Sequence, residues 1–257
     1  MSVTFTPAVP DKAFQRNADS AAADLTKMGF LQQGMSAVSF EFGPDGRVAP
    51  LASAVGSTPR ILSRPDQTTA LTIAPDHLVF ATQSYVRWQP FIGDVERYAI
   101  PVISAMLEIV SIASVRLEYW DRFTWSGTWA DFDVQKLLQP NCPYFAPEAA
   151  RQAQQWHSHA GWFTKDGALR RLTNINIDVV DVVKDLAYQG QPSVGIYSSL
   201  TDQPNVPGYE TTEPPALDAK FIVDRLENQH LALKAILGHI IVDEMANRIG
   251  LDARKTA

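Results

Sequence analysis

RLEYWDRFTW, Arg116–Trp125, sets four charged side chains among residues that otherwise favour a strand. Successive side chains of a strand alternate between its faces. Val115, Leu117, Tyr119 and Phe123 therefore fall on one side, and Arg116, Glu118, Trp120 and Arg122 on the other; only Asp121 breaks the apolar set. Two readings follow. Opposite charges two residues apart suit a half-wet sheet, where cross-strand pairs contribute about 0.2–1 kcal/mol each. Alternatively, Arg116, Glu118 and Arg122 fix a polar ligand under a cover that desolvates them.

Upstream, the period changes. Phe91, Val95, Tyr98, Val102, Met106 and Ile109 recur every three or four residues, the stripe of an amphipathic helix. Pro101 inside it lacks an N–H and predicts a kink or a split. Before that helix, PRILSR (59–64), TALTIA (69–74) and HLVFAT (77–82) are separated by Pro65-Asp66 and Pro75-Asp76, the pattern of an antiparallel meander. AVSFEF (37–42) reads as a further strand ending in the turn Gly43-Pro44-Asp45-Gly46. DSAAADLTKMG (19–29) reads as a short helix with Asp19 or Ser20 as N-cap and Gly29 past its end.

Downstream, residues 124–150 are rich in proline and aromatics without a period. They read as a long connection packed by Trp125, Trp129, Phe132, Tyr144 and Phe145, with a boundary near residue 126. QWHSHAGWF (155–163) and GALRRLTNINIDVV (167–180) flank Lys165-Asp166-Gly167, a hairpin signal. Ile175, Ile177 and Val179 face one way, and Asn174, Asn176 and Asp178 the other. A third strand, SVGIYSSL (193–200), precedes a proline-rich loop (201–218). Helix resumes at Leu217, with Leu226, His230, Leu233, Leu237 and Ile240 on one stripe, and Asp243 reads as the N-cap of a last helix ending at Gly250.

His157 and His159 share one face of the first hairpin strand, at a spacing that can hold a metal ion. A third ligand has to come from the partner strand, from Asp178 or Asp181, if the register allows it. His157, His159 and Asp178 are thus the candidate metal set. His230 reads as a hydrogen-bonded helix residue. Cys142, between Pro140 and Pro143, reads as the chance occupant of an irregular loop.

The single cysteine excludes an intramolecular disulfide framework and points to a reducing, cytoplasmic setting. The start MSVTFTPAVPDKAF shows no basic-then-apolar secretory signal, and no run of 18 apolar residues suggests a membrane span. A net charge of −6, with no basic run longer than Arg170-Arg171, argues against nucleic-acid binding. The motifs G-x-G-x-x-G, G-x-x-x-x-G-K-[ST], H-E-x-x-H and G-x-S-x-G are absent, which removes the common nucleotide, zincin and hydrolase signatures. No cofactor is called for.

The fold expected is α+β: antiparallel sheets each packed by a long helix, a single unit of 257 residues whose halves, 1–125 and 126–257, read alike. The run TALTIAPDHLVFATQSYVRWQPF, a helix, and then VRLEYWDRF, with Pro75-Asp76, Tyr85 and Trp88 at its marker positions, resembles a sporadically distributed bacterial family of uncharacterised proteins of similar length. RLENQHLALKAILGHIIVDEMANRIG (225–250) resembles that family's closing helix. The resemblance implies the architecture and no catalytic residues; a sporadic distribution implies a mobile accessory or defence-type system. The expected role is non-catalytic binding of a protein partner or a small ligand. The alternative is a metal-dependent hydrolase using the His157/His159 site.

Overall fold

The computed structural model describes the chain except for residues 34–39, 43–47, 51–57, 153, 183–188, 210–214 and 252–257. The turn expected at Gly43-Pro44-Asp45-Gly46, the start of the strand expected at 37–42 and part of the 201–218 loop lie outside the described residues. The strands are β1 (Ser2–Thr6), β2 (Leu31–Gln32), β3 (Phe40–Phe42), β4 (Val48–Pro50), β5 (Arg60–Ser63), β6 (Thr69–Ile73), β7 (His77–Thr82), β8 (Ser111–Thr124), β9 (Trp156–Asp166), β10 (Leu169–Asp181) and β11 (Pro192–Gln203). Nine of them form an antiparallel sheet in the order β2-β5-β6-β7-β1-β8-β11-β10-β9, and β3 pairs with β4 separately. With its helices, α1 (Asp11–Lys27), α2 (Trp88–Asp94), α3 (Ile100–Leu107), α4 (Ala219–Ile240) and α5 (Asp243–Arg248), the chain is α+β, as expected.

The packing divides the chain into two compact units. The first holds residues 1–116, 165–170 and 202–227; the second holds 117–164, 171–201 and 228–257.

In the first unit the meander β5–β6–β7 is in place, with Leu62 opposite Leu71 and Leu71 opposite Phe80, all fully buried. Asp66 closes its first turn by accepting from the Thr68 backbone N–H and hydroxyl, both at 3.0 Å. Helix α1 starts eight residues before the expected cap. Its stripe Phe14, Ala18, Ala22 and Leu25 is continuous and buried, and Asp11 in the first turn complements the helix dipole, so Asp19 and Ser20 are interior residues. Gly29, at φ +87°, ends the helix as expected.

The disruption expected at Pro101 takes the form of a π-helical turn, Val95–Ala99, which joins α2 to α3 and in which the Ile100 N–H reaches back to the Val95 carbonyl. The wider turn relieves the clash of the proline ring with the carbonyl four residues earlier. At the other end of this unit, Arg225 of α4 donates to Asp202 at 2.9 Å and also pairs with Asp166, tying the helix to β11 and to the β9–β10 turn. Asp202 is wholly buried, so this pairing is what allows its charge inside the protein.

In the second unit, one face of β10 and β11 (Ile175, Ile177, Val179, Val194, Ile196) is covered by Val134, Leu137, Leu138 and Phe145 of the aromatic connection and by Ile240 of α4. Trp125, Phe132 and Trp129 stack edge to face along that connection, and the Trp129 indole donates to Asp181 at 2.6 Å. Helix α5 departs slightly from expectation. Asp243 is its first helical residue and Val242 its N-cap, because the Val242 N–H is already given to the Leu137 carbonyl and holds the entry extended.

Candidate functional site

The β9–β10 hairpin turns on Gly167-Ala168, with Gly167 at φ +61°. This turn fixes the register, which brings His157 opposite Asp178: the imidazole Nδ1 and a carboxylate oxygen of Asp178 share a short hydrogen bond. The carboxylate accepts, so Nδ1 carries the proton. The same register sets Gly161 against Asn174, whose side-chain oxygen lies 2.7 Å from where a glycine Cβ would stand. His159 falls between these two pairs, opposite Asn176 rather than an acid. Asp181 is on the other face, engaged by Trp129 and by Gln155 at 2.6 Å. Among the described residues, no group of three His, Cys, Asp or Glu side chains converges as a metal would require.

The polar face of β8 meets the same surface two strands away. Gly195 of β11 lies between Arg122 and Asp178. A Cβ on it would be 3.3 Å from a guanidinium nitrogen of Arg122 and 3.9 Å from the Asp178 Cβ. The absent side chain lets the guanidinium lie down on the sheet, where Nη1 donates to Ser193 Oγ at 2.7 Å and that hydroxyl donates to the Val180 carbonyl at 3.0 Å. Arg122, Gly195, Asp178 and His157 thus form one row across β8, β11, β10 and β9. No carboxylate among the described residues pairs with Arg122.

The next row carries the aromatics. Trp120, 49% exposed, packs on Tyr197 with ring centroids 4.5 Å apart, and the Tyr197 hydroxyl donates to Glu118 at 3.0 Å. Arg116 belongs to the first unit, opposite Ser2 of β1. The structure therefore joins Glu118 and Arg122 to His157 and Asp178 on one face of the second unit.

The opposite face of β8 holds a group that the sequence flagged only as an exception. Asp121 alternates along the strand with Tyr119 and Phe123 and is half-buried, and burial pushes its carboxyl up to about 6. Nearby along the strand, the Tyr119 hydroxyl and His230 Nδ1 are 2.9 Å apart, the hydrogen bond expected for that helix histidine. Cys142 is buried, and its thiol is pushed up for the same reason as Asp121. What the sequence reading missed is the contribution of β11. The alternation Ser193, Gly195, Tyr197 in SVGIYSSL supplies the floor that orients Arg122 and Trp120, and the small residues give no signal of it on their own.

No helix among the described residues is long and apolar enough to cross a membrane. Comparison with protein families, with curated proteins and with solved structures finds no match.

Proposed function

We propose that this is a cytoplasmic bacterial binding protein without catalysis of its own, and that the β8–β11–β10–β9 face takes a small polar ligand with a planar group. The observation that carries the reading is Arg122: a guanidinium laid flat over Gly195, anchored at one nitrogen by Ser193, and ion-paired with no carboxylate among the described residues. An arginine fixed in this way has already lost much of its side-chain entropy and keeps donors for a carboxylate or phosphate. Trp120 beside it offers a half-exposed ring on which a planar group can stack. The face holds donors and acceptors of both signs but no nucleophile next to a base, which favours binding over chemistry. A role in a mobile accessory system is consistent with the family resemblance.

The test is ligand-observed NMR of the full chain against benzoate, nicotinate and nucleoside monophosphates, with Arg122→Met as control. Binding by the wild type that is lost in the variant is the expected result. No binding by any member of the set, or equal binding by the variant, refutes the reading.

A second reading, the metal-dependent hydrolase, draws on one observation: the Asp178–His157 hydrogen bond is the arrangement by which a carboxylate orients a metal-ligating imidazole. In that case Asp178 supports the ligand instead of being one, and His159 faces Asn176. Elemental analysis of protein purified without a metal-affinity column decides between the readings. Near-stoichiometric metal that disappears in His157→Ala/His159→Ala supports the hydrolase, and metal-free wild-type protein removes it.

A further inference from the structure

In the first unit, a cleft of about 290 Å³ lies between α1 and the helical run that contains the π turn. Its long walls are apolar, with Ala21 and Leu25 on one side and Tyr98, Val102 and Ala105 on the other. The sequence explains why it is open. Ser20 and Ala21 are too short to fill the space, and Pro101 forces the wide turn that sets back the opposite wall. Such π turns are found disproportionately at functional sites.

The two ends of the cleft differ. At one, the Asn17 side-chain amide donates to the Ala105 carbonyl at 3.2 Å and closes it. At the other stand Lys27, Asp24 and Arg97, two cations and one carboxylate. Lys27 is paired with Asp24 at 2.8 Å, whereas no carboxylate among the described residues pairs with Arg97, whose guanidinium lies 5.3 Å over the Tyr98 ring. Tyr98 is itself held, its hydroxyl accepting from Arg64 at 2.6 Å. An apolar trough closed at one end, with an uncompensated arginine on a fixed aromatic at the other, has the polarity of an amphipathic anion.

We infer that this cleft binds a medium-chain aliphatic carboxylate, with its carboxylate on Arg97 and its chain laid along Tyr98, Ala21 and Val102 toward Asn17. The length sets the class. From Arg97 to Ala105 the helix advances about 12 Å, the span of an extended chain of roughly eight to ten carbons. The volume lies just below the range usual for pockets of drug-sized ligands, about 300–1,000 Å³, so the longer acyl chains do not fit within it. The site is independent of the sheet face of the second unit.

Isothermal titration calorimetry of the full chain with octanoate tests the assignment, with 1-octanol and butyrate as controls for the charge and for the chain. Octanoate is expected to bind at one site. Removal of the charge, either in 1-octanol or in Arg97→Gln, is expected to weaken binding about tenfold, the worth of one charge-assisted hydrogen bond. Butyrate is expected to bind more weakly still, because each buried methylene contributes. Ala21→Phe fills the trough and is expected to abolish binding; should that variant fold poorly, Arg97→Gln and the two control ligands still decide. No binding heat with octanoate, binding to Arg97→Gln as tight as to the wild type, or 1-octanol as good as octanoate overturns the proposal.

Discussion

Replacing Asp121 with Asn should stabilise the protein at neutral pH, although it changes a half-buried residue. Burial raises the Asp121 carboxyl from its ordinary 3.8 to about 6, so the folded protein resists the charge that the unfolded chain carries freely. Each tenfold change in proton affinity corresponds to about 1.4 kcal/mol, which makes the cost of the charge at neutral pH about 3 kcal/mol at most, less whatever solvent reaches the carboxylate. The sign follows from proton counting. Between pH 3.8 and about 6 the folded state holds more protons at this site than the unfolded one. This group therefore adds stability as the pH falls through that window, and its cost is fully present above it. Asparagine has nearly the shape of the protonated acid and no charge. Urea unfolding followed by tryptophan fluorescence should show Asp121→Asn more stable than wild type by about 1–3 kcal/mol at pH 7.5, with the advantage shrinking toward zero near pH 4. A variant that is less stable at pH 7.5, or an advantage that does not change with pH, would refute the reasoning.

Arg225→Met leaves Asp202 buried without its cation and is expected to cost about 3–5 kcal/mol in urea unfolding; a loss below about 1 kcal/mol would mean that the carboxylate is otherwise neutralised. Gly195→Ala places a methyl group 3.3 Å from the Arg122 guanidinium and is expected to lift it off Ser193. Binding of the sheet-face ligand should fall several-fold with little change in stability, and unchanged affinity would show that Arg122 does not need its seat. Cys142, buried and with its thiol pushed up, is expected to react slowly with iodoacetamide at pH 7.5 and rapidly only in denaturant; fast modification of the native protein would contradict its burial.

The parts that were legible in the sequence are those where period and turn chemistry agree. The meander over 60–82 is announced by its proline–aspartate turns, the hairpin by Asp166-Gly167, and the two faces of β8 by strict alternation. The helix of 11–27 was half legible. In its first half only Phe14 and the small Ala18 are buried, so the stripe is faint until Ala22 and Leu25. The effect of Pro101 was foreseen as a disruption but not as a π turn, since the missing N–H dictates that something must give and leaves open how. For the candidate site, the residue types were readable and their company was not. Arg122 and His157 are 35 positions apart, and only the placement of β11 between β8 and β10 sets them in one row. Strand order is a long-range property, and alternation within each strand carries no trace of it.

The division of packing at Arg116/Leu117 has a practical consequence for anyone cutting this gene. The first unit is assembled from three separate stretches of chain and the second from three others, so the backbone passes between them five times, within β8, β9, β10, β11 and α4. No single cleavage point releases either unit whole. A fragment ending in the 124–150 connection, where the composition invites a boundary, strips the first unit of residues 165–170 and 202–227, and with them the Arg225, Asp202 and Asp166 cluster. Deletion mapping that assigns an activity to one end of this protein would be reporting the collapse of both units. Point substitution is the instrument suited to it.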